Sequence, residues 1–116
     1  MKKIYHLATC KTCQKILKEL EPLDGVELRE IKSKGVTPEE LEEMRALTTS
    51  YEELFSRRAM LFRQRGLNTQ KLNEVDYKAL ILEHYTFLKR PIVLVENKIF
   101  IGNAKKQVDG AKEALH

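Results

Sequence analysis

Apolar residues in this chain follow two spacings in turn, and each change of spacing marks an element. Residues 3–6 form a short, apolar-leaning run followed by a loop, which reads as a strand. From Cys13 the apolar positions fall at Cys13, Ile16, Leu17 and Leu20, the i, i+3, i+4, i+7 pattern of one helix face. Pro22 and Gly25 end that helix. Residues 26–31 (VELREI) partly alternate and predict a second strand. Thr37-Pro38-Glu39-Glu40 carries a capping-box pattern, with Thr37 as N-cap, Pro38 at N1 and Glu40 at N3; Leu41, Met44 and Leu47 make the buried face of its helix. Ser50-x-x-Glu53 repeats the signal and predicts a short helix through Leu54 and Phe55. A basic stretch follows, SRRAMLFRQRG, closed by Gly66. Asn73-x-x-Asp76 opens another helix, with Tyr77, Leu80, Ile81 and His84 on one stripe. Then Pro91 precedes Ile92-Val93-Leu94-Val95, the continuous apolar run of a buried strand. Glu96-Asn97-Lys98 is a short turn, and Ile99-Phe100-Ile101 returns as a hairpin. Gly102-Asn103 breaks it, and a last helix turns Val108, Ala111 and Leu115 inward.

The resulting order is β-α-β, several helices, then β-β-α. That is an α/β chain with a thioredoxin-like layout and a helical insertion, about residues 37–86, between its halves. No repeat and no linker interrupts it, so the expectation is one domain over residues 1–116 with the insertion packed on the sheet. Composition agrees: 42% hydrophobic and 33% charged residues describe a folded chain rather than a disordered one. The net charge of +4 suits an anionic small ligand or an acidic partner surface, and falls short of a nucleic-acid footprint, so no direct nucleic-acid partner is expected. No apolar run approaches the roughly 18 residues of a membrane span. Leu7-Ala8-Thr9-Cys10 superficially resembles a lipoprotein cleavage site, but the apolar stretch before it is far shorter than the about 7–15 residues a signal peptide needs, and His6 interrupts it. The expected location is the cytoplasm, where a pair of cysteines is redox-active or metal-binding rather than a structural staple.

The chemistry centres on TCKTC, which holds the only two cysteines, Cys10 and Cys13. Their place at a strand–helix junction exposes them to the positive end of the helix dipole and to free backbone N–H groups, which favour thiolate. Cys10, just before the helix, is the more exposed and the better nucleophile; Cys13, in the first turn, is the candidate resolver. Lys11 and Lys15 add positive charge nearby. His6, at the end of the first strand, stabilises the thiolate if it is a cation and accepts its proton if it is neutral. A zinc site lacks ligands, because only His6, His84 and His116 accompany the cysteines and no H-x₃₋₅-H pair exists, so no metal is expected. The plainest alternative is two buried, inert thiols. In Lys89-Arg90-Pro91-Ile92, a proline just ahead of a buried strand marks a special turn. In a thioredoxin-like fold that proline is cis and faces the CxxC loop, with Arg90 beside the cysteine to grip an oxyanion; otherwise Arg90 is a surface residue before a strand.

Together these residues resemble the arsenate reductase (ArsC)/Spx family, thioredoxin-like proteins with a helical insertion, over nearly the whole length. IYHLATCKTC is similar to the family's first strand and active-site loop, with Cys10 in the place of the catalytic cysteine and His6 matching a histidine that assists it. SRRAMLFRQRGLN resembles the segment around a substrate-side arginine, with Arg58 the best match and Arg57 its neighbour. KRPIVLV matches the Arg-Pro-Ile strand entry, which puts Arg90 in the oxyanion pocket and Pro91 in the cis position. Where the reductases carry a third arginine this chain has Asn103, with Lys105 and Lys106 beyond. Cys13 is extra relative to those single-cysteine enzymes and resembles the Spx branch, whose redox switch is such a pair. The resemblance therefore implies a thiol reductase acting on an oxyanion such as arsenate or on a disulfide, with no bound cofactor and with glutathione–glutaredoxin or thioredoxin as reductant. Its alternative is a redox-sensing regulator that binds the RNA polymerase α subunit, although residues 48–52 (TTSYE) lack the glycine that helps form that surface in Spx.

Overall fold

The computed structural model describes residues 1–116. The elements are β1 (Lys2–His6), α1 (Lys11–Glu19), β2 (Glu27–Glu30), α2 (Pro38–Ala46), α3 (Met60–Gln64), α4 (Glu74–Glu83), β3 (Ile92–Val95), β4 (Lys98–Ile101) and α5 (Lys105–Leu115). Single 3-10 turns stand at Glu52–Leu54, Leu67–Thr69 and Tyr85–Phe87. The chain divides into two compact units, residues 1–34 with 90–116, and residues 35–89. No helix is long and apolar enough to cross a membrane.

The first unit is a four-stranded sheet in the order β2-β1-β3-β4. β1 runs parallel to β2, and β3 runs antiparallel to both β1 and β4. This is the thioredoxin-like arrangement: a β-α-β half and a β-β-α half joined along β1 and β3. Ile4 pairs with Val93, and Val93 with Phe100, so the three share one face. α1 adds Ile16 and Leu20 to that face, and α5 adds Val108, Ala111 and Leu115. The inward stripe expected for the last helix is therefore the one observed. All four residues of β3 are buried, as an unbroken apolar run in a central strand requires. Gly110 allows a close approach: a Cβ there would lie 2.8 Å from Cε1 of Phe100, so α5 sits against the β4 ring with no room for a methyl group.

The second unit gathers around Phe55, whose ring stacks on Phe87 at 5.4 Å and meets Phe62 and Tyr77 on other sides. Phe55 also bridges Leu88 in short antiparallel fashion, with Ser56 N–H donating to the Phe87 carbonyl at 2.7 Å and Lys89 N–H to the Leu54 carbonyl at 2.8 Å. The capping box predicted at Thr37 forms with Glu40, and the helix start predicted at Asn73 is closed by a second box with Asp76. The helix expected at Ser50-x-x-Glu53 is only a single turn. Ser50 Oγ does accept the Glu53 N–H at 3.1 Å, but Phe55 turns extended to make its bridge and ends the helix there. Instead, the Glu74 carboxylate at the start of α4 accepts the N–H groups of Tyr51 and Glu52. The short helix α3 inside the basic stretch escapes periodicity, because five residues hold little more than one turn. His84 does not extend the α4 stripe; it caps the helix end, and its Nδ1 accepts the Thr86 N–H at 3.1 Å.

Candidate active site

Antiparallel pairing places the end of β1, the start of β3 and the end of β4 at one end of the sheet, since Tyr5 pairs with Ile92 and Ile92 with Ile101. The loop bearing Cys10, the Arg90-Pro91 turn and Gly102-Asn103 therefore gather at that end. The Arg90–Pro91 peptide is cis, and the Pro91 carbonyl accepts the Gly102 N–H at 2.9 Å. Gly102 takes φ +85°, which glycine adopts without a Cβ penalty.

Cys10 is the N-cap residue of α1, with extended backbone. Its N–H donates to the Leu7 carbonyl at 3.0 Å, and its own carbonyl accepts the Gln14 N–H at 3.0 Å. Both cysteines are free thiols; Cys10 is partly exposed, and Cys13 is buried on the inner side of α1. Their acidities diverge. Burial acts to raise the Cys10 thiol, but the Cys13 backbone N–H, the Cys13 thiol, the Arg90 guanidinium and the Thr12 N–H together favour the thiolate and bring its pKa below the usual value. Burial pushes Cys13 up to about 11, against the Leu7 backbone contact that lowers it, and the negative charge of its neighbour Cys10 adds to the rise. The two thiols of one motif thus differ in acidity, Cys10 lowered and Cys13 raised.

Burial lowers the pKa of His6, an effect that the Glu30 charge only partly offsets, which favours the neutral imidazole. Its Nδ1 is buried without a hydrogen-bond partner, and His6 is not among the groups that shift Cys10. Arg90 is brought to Cys10, and its Nε is buried without a partner. Asn103 is exposed on the loop after β4; Lys105 pairs with Asp109 at 2.7 Å. Arg58 belongs to the second unit, where it lines a cleft of about 470 Å³ with Arg57, Ala59, Met60, Arg63 and Gln64. Arg57 is committed to Glu52 and to the Tyr77 hydroxyl within that unit. No cluster of three or more His, Cys, Asp or Glu side chains could hold a metal ion.

Two residues that motif reading did not single out shape the Cys10 loop. Glu30, at the end of β2, accepts the Ala8 N–H on Oε2 at 3.0 Å and the Lys32 and Ser33 N–H groups on Oε1 at 2.7 and 3.1 Å. Gln14 Nε2 donates to the Ala8 carbonyl at 2.6 Å. The available signal was the expected pairing of the first two strands, which brings the end of the second beside the loop; local spacing cannot link residues 8 and 30.

Comparison with known proteins finds relatives of this chain by sequence and by fold. Residues 5–111 match the sequence model of the ArsC family. The global transcriptional regulator Spx 2 of Bacillus cereus is 32% identical over 108 residues, covering 90% of this chain and 82% of that protein. An ArsC-family-related protein from Bacteroides fragilis superposes with a TM-score of 0.80 at 23% identity, covering 95% of this chain and 96% of its own. The arsenate reductase from Vibrio cholerae superposes with a TM-score of 0.73 at 22% identity, covering 95% and 96% respectively.

Proposed function

Because the chain belongs to the ArsC family, we propose that it is a thiol-dependent reductase in which Cys10 is the nucleophile and Cys13 the resolver. The observation that carries this reading is the split in acidity between the two thiols of one helix terminus. A thiolate attacks and a thiol does not, so the first bond forms at Cys10, the thiol of lower pKa. With a disulfide substrate R–S–S–R′, the Cys10 thiolate bonds to one sulfur and R′S⁻ leaves, taking up a proton as R′SH. Cys13 then loses its proton to solvent, and its thiolate attacks the Cys10 sulfur, breaking the mixed disulfide; RS⁻ leaves and takes up a proton as RSH, and a Cys10–Cys13 disulfide remains. Two electrons have passed from the protein to the substrate. Glutathione with glutaredoxin, or thioredoxin, returns them. Once Cys10 is bonded, the charge that helped hold Cys13 protonated is gone, which eases the second step. Family resemblance assigns His6 an assisting role, and burial, which lowers its pKa, favours the neutral imidazole over the cation there.

An oxyanion such as arsenate is the other electrophile. Arg90 supplies the positive charge for it, and the buried, unpartnered Nε is a donor that a bound anion would satisfy. Arg58 is assigned the same role by family resemblance. Asn103 stands where the reductases have a third arginine, and a neutral amide grips an oxyanion less firmly than a guanidinium. That weakens arsenate relative to a disulfide.

The relatedness to Spx 2 favours a second reading, a cytoplasmic redox-sensing regulator that contacts the RNA polymerase α subunit when Cys10 and Cys13 are joined. One set of assays separates the two. Arsenate or a mixed disulfide is supplied with glutathione–glutaredoxin or with thioredoxin, and NADPH consumption is followed. Turnover that disappears in Cys10→Ser supports the reductase. Silence in both systems, with capture of the α subunit only after oxidation, supports the regulator. Mass spectrometry after mild oxidation tests the resolver: a persistent glutathione adduct on Cys10, with no Cys10–Cys13 disulfide, would remove Cys13 from the mechanism.

A further inference from the structure

From the way two side chains hold the backbone N–H and carbonyl of one residue of the Cys10 loop, Ala8, we infer that Glu30 and Gln14 are positioning residues that set the acidity of Cys10. This rests on the reading of Cys10 as the activated nucleophile. The loop joins β1 to α1 through Leu7, Ala8, Thr9 and Cys10, and it has little else to fix it. Ala8 and Thr9 are exposed. The Cys10 N–H reaches back to the Leu7 carbonyl, so the orientation of the Ala8 segment decides where Cys10 enters the helix.

That segment is gripped at both ends. Glu30 Oε2 accepts its N–H at 3.0 Å, and Gln14 Nε2 donates to its carbonyl at 2.6 Å. Gln14 lies on α1 itself, one turn past Cys10, and its N–H bonds to the Cys10 carbonyl. Glu30 lies on β2, the strand parallel to β1, and pairs in register with His6. Its other oxygen, Oε1, is held by the Lys32 and Ser33 N–H groups at 2.7 and 3.1 Å and by Ser33 Oγ at 3.4 Å. The carboxylate is thus fixed by the chain that follows β2 and offers its remaining oxygen to the active-site loop. These bonds hold it ionised below the usual carboxylate range, with the Ala8 N–H as the largest cause.

The role requires a carboxylate of this length. Every group bonded to Glu30 is a donor, so both oxygens must accept. Glutamine has one acceptor oxygen and one NH₂, and whichever way it turns, a donor faces a donor. Aspartate keeps two oxygens but is one methylene shorter. The charged and titratable groups facing Glu30 are His6 on β1, and Arg29, whose guanidinium is turned to the carbonyls of Glu30 and Lys34.

The sign of the effect separates positioning from simple charge. A negative charge near Cys10 disfavours its thiolate, so removing the Glu30 charge through space would lower the Cys10 pKa. Releasing the loop would instead loosen the alignment of Cys10 with the Cys13 and Thr12 N–H groups and with Arg90, and raise it. The test is the pH dependence of iodoacetamide alkylation at Cys10 in the reduced full-length protein, which needs no knowledge of the substrate. Glu30→Gln and Glu30→Asp should each raise the apparent pKa by roughly half to one unit, slowing alkylation at neutral pH about three- to tenfold. Gln14→Met should do the same, and adding it to Glu30→Gln should give less than the sum, because both act on one peptide segment. A Cys10 pKa that stays put or falls in Glu30→Gln, or that is unchanged in Glu30→Asp, overturns the inference; a lowered melting temperature with an unchanged Cys10 pKa does so as well. The wild-type value judges the premise separately: an ordinary thiol pKa there would sink the reading of Cys10, whatever the variants do.

Discussion

Two thiols three residues apart have the same intrinsic chemistry and end with opposed acidities, and the difference makes stability depend on pH. In the unfolded chain both titrate near the ordinary thiol value of about 8.5. Cys10 is lowered in the fold, so as pH rises through its native pKa towards about 8.5 the unfolded chain binds more protons and stability increases. Cys13 is raised to about 11 in the fold. Between about 8.5 and that value the native state keeps a proton that the unfolded chain has lost, so stability falls as pH rises. Urea denaturation under reducing conditions at about pH 8 and about pH 10.5 should therefore show a smaller loss in Cys13→Ala than in wild type. Equal losses in the two proteins would mean that Cys13 is not raised by burial.

At the scale of elements, local signal and tertiary contact agree at some positions and oppose each other at others. Thr37 and Asn73 announce α2 and α4 by residue type alone, because a cap needs only its own helix's N–H groups. Gly110 is the opposite case. Alanine is preferred in a helix interior by about 1 kcal/mol, so propensity predicts that Gly110→Ala stabilises α5. The methyl group would meet the Phe100 ring at 2.8 Å, and Phe100 packs on the core between α5 and the sheet. Overpacking of that kind costs about 1–3 kcal/mol, so the expected outcome is a lower melting temperature. Gly110→Ala combined with Phe100→Leu should recover part of the loss. A single Gly110→Ala variant that is more stable than wild type would show that the ring yields freely.

Over the whole chain, the strand order ranks the stability of the sheet in the first unit. β1 and β3 are central and pair on both sides, whereas β2 and β4 each pair on one. Core amides open only with the larger cooperative unit, while edges open locally. Hydrogen exchange should therefore be slowest at Ile4, Tyr5 and Val93–Leu94 and faster in β2, where Leu28 is half exposed. Slower exchange in β2 than in β1 would contradict the strand order. The same order accounts for the site: parallel pairing of β1 with β2 carries Glu30 to the Cys10 loop, and antiparallel pairing of β3 carries Arg90 there.

What the sequence determined by itself was whatever depends on near neighbours. The spacing from Cys13 to Leu20 makes α1, the run at Ile92 makes a buried strand, and TCKTC puts Cys10 ahead of Cys13 at a helix start. Residue type and spacing set these because the interactions span a turn or two of chain. Tertiary structure alone decided the rest. It turned the Ser50 helix into a single turn, because Phe55 had a distant partner in Leu88. It raised the Cys13 pKa by burying it and lowered that of His6 by the same means. It also brought Glu30 across 22 residues to Ala8, a contact that exists only once the sheet has formed. Acidity depends on desolvation and on charges from elsewhere in the chain, and neither is present until the chain has closed around the site.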